Sequence, residues 1–124
     1  MAEIDSLILQ FIKEIHAYYS ANAAGDFQRA NRHFRGADRI ICEIKLIPDW
    51  TNMFLPLLND EDPGVRLRVA SILLPYETKQ AEAVLRKLCF ARGLYGFSAR
   101  MVLNEWFSGK LKFPAFDNGR IVYQ

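Results

Sequence analysis

The chain has 124 residues, a length that suits one domain, and its 51% apolar and 13% aromatic content is enough to bury a real core. A formal charge of +2 is too small to advertise a polyanionic partner, and no apolar run approaches the roughly 20 residues of a membrane-spanning helix. The opening Met1-Ala2-Glu3-Ile4-Asp5 is acidic where a signal peptide is basic, so the expectation is a cytoplasmic protein with no export signal or membrane anchor.

From Glu3 to about Ala21, Ile4, Leu7, Ile8, Phe11, Ile12, Ile15, Tyr18 and Tyr19 recur at three- and four-residue steps, the pattern of one long amphipathic helix. Gly25 breaks it, and Asp26 is placed to cap a second helix reaching about Leu46. On that helix Phe27, Ala30, Phe34, Ala37, Ile41 and Ile44 form an inward stripe, while Arg29, Arg32, Arg35 and Arg39 form another on the opposite face. Gly36 costs this helix roughly 1 kcal/mol relative to Ala, which suggests a bend or a close helix contact there.

Pro48 ends the second helix, and Asp49 can cap a short third one carrying Trp50, Met53, Phe54, Leu57 and Leu58, which Pro56 should kink or shorten. Next comes an acidic turn, Asp60-Glu61-Asp62, with Asp62 as cap and Pro63 at the first helical position. In the following helix Val65, Val69, Ile72 and Leu73 share one face and Leu67 and Leu74 lie opposite, so this helix should be sandwiched between neighbours. Pro75 stops it. Thr78 can cap a fifth helix with Ala81, Val84, Leu85 and Leu88 inward. Gly93 and Gly96 read as a loop, and Ser98 as the cap of a sixth helix with Ala99, Val102, Leu103 and Trp106 inward, closed by Gly109. Asp26, Asp62 and Ser98 are then 36 residues apart, a weak repeat signal. Lys110–Gln124 holds Pro114 and an Asp117-Asn118-Gly119 turn signal, and should fold back in extended form over an apolar end of the helices.

About six helices, short loops and no convincing alternating strand predict an all-α chain: a short irregular α-α superhelix forming a single domain over 1–124, with 110–124 as a C-terminal tail. Asp62, Val65, Arg66, Ala70 and Leu73 resemble the HEAT-repeat pattern. More broadly, residues from about Leu57 to Leu111 resemble a family of small bacterial HEAT-like domains of unknown function. That likeness is carried by Asp62-Pro63-Gly64-Val65-Arg66, the Ala81–Leu88 helix, Gly96-Phe97-Ser98-Ala99, Leu103-Asn104-Glu105-Trp106 and Gly109-Lys110-Leu111. The resemblance implies a right-handed α-α superhelix with a binding role, and it carries over no catalytic residue.

The search for chemistry finds little. Cys42 and Cys89 sit inside helical patterns without the neighbours a zinc site needs and read as reduced core thiols; His16 and His33 read as surface or packing residues. The acidic run lacks calcium-loop spacing, and Gly93 and Gly96 lack the Lys-Ser/Thr of a phosphate loop. No catalytic residue, metal or cofactor is expected. Asp60, Asp62, Pro63, Val65 and Arg66 read as a structural turn, with Arg66 paired to Asp60 or Asp62.

Charge is unevenly spread. Residues 1–62 hold 6 Lys and Arg against 10 Asp and Glu, and residues 63–124 hold 10 against 4. Such asymmetry covers surface in most chains, but it can also steer a charged partner. The candidate contact residues are Arg29, Arg32, Arg35 and Arg39 of the second helix, and Arg92, Tyr95 and Arg100 further on. The expected function is non-catalytic binding of another protein, in one version as an immunity- or antitoxin-like inhibitor. The alternative is a nucleic-acid-binding module built on the basic C-terminal half, where Tyr95 and Phe97 could stack on bases.

Overall fold

The computed structural model describes residues 2–124 and is predominantly helical, as an all-α chain should be. Its helices are α1 (Ala2–Ala23), α2 (Phe27–Ile44), α3 (Trp50–Phe54), a 3-10 helix (Leu55–Asn59), α4 (Pro63–Leu73), α5 (Thr78–Leu88) and α6 (Gly93–Phe107). Two short strands follow, β1 (Pro114–Asp117) and β2 (Arg120–Tyr123). By contact density the chain forms two compact units: residues up to Met53 together with Phe113–Gln124, and Phe54–Lys112.

In the first unit α1 packs along α2, joined by a turn that closes tightly. Gly25 adopts a φ of +76°, its N–H donates to the carbonyl of Asn22 and the Asp26 N–H donates to that of Ala21. That paired bonding is a Schellman motif, which needs a left-handed residue and so selects glycine. Asp26 then begins α2, its carboxylate accepting from the Arg29 N–H at 3.2 Å. Ile4, Phe11 and Ile15 of α1 and Ala30, Ala37, Ile41 and Ile44 of α2 are buried. Phe27, expected inward, is 63% exposed. It is the first residue of α2. At Gly36 the expectation of a close contact holds, since an added Cβ would lie 2.5 Å from Oε2 of Glu14.

The tail forms an antiparallel hairpin pairing Pro114 with Tyr123 and Asp117 with Arg120. Asn118 and Gly119, at φ +52° and +77°, make its two-residue turn, the left-handed pair that matches strand twist. The hairpin lies against α2. The Asp-Asn-Gly signal was legible in the sequence; the strands were not, because each has only four residues and little alternation.

In the second unit Pro56 does not kink a helix so much as convert it: the α-helix gives way to 3-10 geometry over Leu55–Asn59. Asp62 caps α4, its Oδ1 accepting from the Gly64 N–H at 2.7 Å, with Pro63 at the first helical position. Val65, Val69, Ile72 and Leu73 are buried, and so are Leu67 and Leu74 on the other side.

Two boundaries differ from the sequence reading. Thr78 is the first residue of α5, not its cap, and its hydroxyl donates back to the Leu74 carbonyl at 2.7 Å. That bond meets the carbonyl of the C-cap residue of α4, an alternative to capping that Ser and Thr side chains can take. Similarly, α6 starts at Gly93, so Gly96 and Ser98 lie inside it, Ser98 caps nothing, and the 36-residue spacing of caps dissolves. Gly93 supplies a left-handed turn at φ +70°, but Gly96 is a packing glycine: an added Cβ would collide with the Ala91 carbonyl oxygen. At the far end Gly109, at φ +73°, closes α6 with a second Schellman pair, Gly109 N–H to Trp106 and Lys110 N–H to Glu105.

Gly96→Ala is therefore expected to lower stability by about 1–3 kcal/mol, since backbone must move to admit the methyl. Gly36→Ala meets only the end of a flexible Glu14 side chain and gains helix propensity, so its change should be smaller. Urea denaturation of the two variants side by side measures the difference.

Candidate functional site

The residues singled out in the sequence fall on two separate elements. On α2, Arg29 sits 3.5 Å from the Asp26 carboxylate that caps its own helix, and the Arg39 guanidinium lies 5.7 Å from the centroid of the Phe116 ring on β1. Arg32 and Arg35 are exposed. The four guanidinium groups thus do different work, two of them serving the fold of their own unit. Asp38, which the sequence reading passed over, is fully buried on the same helix and accepts a 2.6 Å hydrogen bond from the Tyr123 hydroxyl. Lys45 adds a donation to the Pro114 carbonyl at 3.4 Å. His33 is likewise engaged: its Nδ1 lies 3.0 Å from Oε2 of Glu14, a half-buried link between α1 and α2.

In the second unit the acidic turn is built from its own side chains. Oδ2 of Asp60 accepts from the Asp62 N–H at 3.0 Å, and Arg66 Nη1 donates to the backbone carbonyl of Asp60 at 3.2 Å. Arg66 therefore reaches the expected residue, but through its main chain, while the Asp60 and Asp62 carboxylates accept backbone amides. On α6, Arg92 is exposed at the N-cap position, Tyr95 is half-buried, and Arg100 Nη1 donates at 2.7 Å to the Cys89 carbonyl where α5 ends. Burial, and then the Asp62 carboxylate, push the Tyr95 phenol above its ordinary pKa.

The same unit exposes features that the sequence reading missed. An open groove of about 540 Å³ runs beside Leu58, Arg66, Val84, Lys87, Leu88 and Phe90. Phe90 is 89% exposed. Along α6, Leu94, Phe97 and Met101 are all exposed and spaced three and four residues apart, which places them on one face. The periodic signal for that face was present, but it spans Gly93 and Gly96 and was hidden by reading both as a loop.

Among the described residues, no group of three or more His, Cys, Asp or Glu side chains could hold a metal ion, and no helix is long and apolar enough to cross a membrane. Neither a protein-family model nor a curated protein matches the chain. Its fold is similar to the crystal structure of the protein RPA1889 from Rhodopseudomonas palustris CGA009, at 23% identity and a TM-score of 0.79 over 88% of this chain and 92% of that one. At that identity the likeness establishes the fold.

Two outcomes test this geometry. Tyr123→Phe removes a bond to a buried carboxylate and is expected to cost about 1–2 kcal/mol by chemical denaturation. Cys42 is buried, which pushes its thiol pKa up, whereas Cys89 is half-buried. Titration with a disulfide reagent in native buffer should modify Cys89 first, Cys42 following only on unfolding.

Proposed function

We propose that this chain is a non-catalytic binding domain whose partner is another protein, and that it belongs with small cytoplasmic bacterial HEAT-like domains. Inhibition of a toxin, in the manner of an immunity protein or antitoxin, is its proposed biological form. The observation that carries the reading is the outer face of α6. Leu94, Phe97 and Met101 are 38%, 55% and 46% exposed on one side of α6. Large apolar side chains grouped on a rigid element mark a surface that gains by being covered, at about 25 cal/mol for each Å² removed from water. Arg92 and Arg100, on the same helix, supply a basic edge.

Nucleic acid binding is the weaker reading. Between Glu82 and Glu105 the chain carries Arg86, Lys87, Arg92 and Arg100 and no carboxylate. Two of those four cations are already engaged, Arg100 at the Cys89 carbonyl and Arg86 between Glu82 at 3.7 Å and the Phe107 ring at 5.5 Å. A third cation of the basic C-terminal half, Arg66, donates to the Asp60 carbonyl, so part of that basic set is committed within the fold.

Affinity capture from nuclease-treated native lysate, comparing the wild-type chain with Phe97→Asp/Met101→Asp, tests the choice. A discrete protein should be retained by the wild type through high salt and reduced about tenfold by the double variant. Capture of nucleic acid instead, lost steeply as salt rises, would favour the alternative.

A further inference from the structure

The groove of the second unit has an unusual composition for a solvated surface. Its floor is apolar, with Leu58 at the end of the 3-10 helix and Val84 and Leu88 on α5, and exposed Phe90 just beyond α5 also lines it. Two cations border it, Arg66 and Lys87, and no carboxylate lines it. Lys87 has Ala83 and Ala91 at the positions four residues away, so no acidic side chain on its own helix can reach it. Arg66 is held by a single donation from Nη1 to the Asp60 carbonyl, which orients the guanidinium and leaves the rest of its five N–H donors for other acceptors. Phe90 projects into solvent at 89% exposure although Leu88, two residues earlier, is buried.

We propose that this groove docks an acidic, apolar-anchored segment of the partner protein. An aromatic or branched aliphatic side chain of that segment lies on Leu58, Leu88 and Phe90, while flanking carboxylates meet Lys87 and Arg66. Charge complementarity selects the occupant. Among the described residues the groove is lined by two cations and no carboxylate, which favours an acidic segment; the acidic turn beside Arg66 makes Lys87 the stronger of the two contacts, and the apolar floor between them rewards a buried side chain that a phosphodiester backbone does not possess. Arg66 is pre-oriented by the turn, so little side-chain freedom is lost when a carboxylate binds. This inference rests on the protein-binding reading and names the chemistry of the partner.

The test uses the full chain and a phage-displayed library of short random peptides. Selected peptides are expected to carry Asp or Glu on either side of Phe, Trp or Leu. Their affinity should fall about tenfold for Lys87→Glu, recover for Lys87→Arg, and fall again for Phe90→Ser. Both sites are exposed, so the far-ultraviolet circular dichroism of the variants should match the wild type. Selected peptides without acidic enrichment, or equal affinity for the wild type and Lys87→Glu, would overturn the proposal. So would an oligothymidylate probe that binds more tightly than any selected peptide and is released by Lys87→Glu. If lysate capture survives Lys87→Glu and Phe90→Ser but is lost with Phe97→Asp/Met101→Asp, the groove assignment falls while the protein-binding reading stands.

Discussion

Helix α4 has almost no solvent face, and its unit is organised by that constraint. Val65, Val69, Ile72 and Leu73 are buried on one side, Leu67 and Leu74 on the other, and even Ser71 is buried, its hydroxyl donating to the Leu67 carbonyl at 2.8 Å. Such a helix is stable only if neighbours cover it on more than one side, which here include the 3-10 helix, α5 and α6. Polar side chains can leave α4 only at its margins. Arg66 leaves beside the acidic turn, where the Asp60 carbonyl receives it. The burial of α4 thus places a guanidinium at the lip of the groove.

The corner between α5 and α6 is the second fixed point. The Ala91 carbonyl occupies the space a side chain would take at Gly96, and Arg100 reaches back from α6 to the Cys89 carbonyl at the end of α5. A helix end keeps carbonyls without intrahelical partners, and a cation is the favoured group to meet them. With the corner held by backbone contact and one guanidinium, Phe90 is carried on a tight turn outside the packed face. The first turns of α6 are then continuous with the rest of that helix, which aligns Leu94, Phe97 and Met101.

In the first unit the polar groups serve the fold more than they decorate it. Asp38 is buried against the Tyr123 hydroxyl, Lys45 and Arg39 meet the hairpin, and Glu14 lies over Gly36 and bonds His33. A buried carboxylate without a donor would carry a large desolvation cost, so the hairpin does for Asp38 what water does for a surface residue. This use of charge gives Arg29 and Arg39 contacts within their own unit, while Arg32 and Arg35 are exposed.

Local chemistry read directly from residues determined much of this protein: the all-α class, the Asp26 and Asp62 caps, the stops at Gly25 and Gly109, the two-sided burial of α4 and the turn at Asn118-Gly119. Each depends on a backbone requirement or a periodicity that neighbours in sequence can satisfy by themselves. Tertiary structure alone decided the rest. Gly96 could not be told from a loop glycine, because the carbonyl that forbids a side chain there belongs to the preceding turn. Thr78 bonded backward, Arg66 chose a carbonyl over a carboxylate, and Asp38 found its donor 85 residues away. The groove joins Leu58, Arg66, Lys87 and Phe90 from three stretches of chain, and no spacing in the sequence records a surface that exists only once those stretches pack.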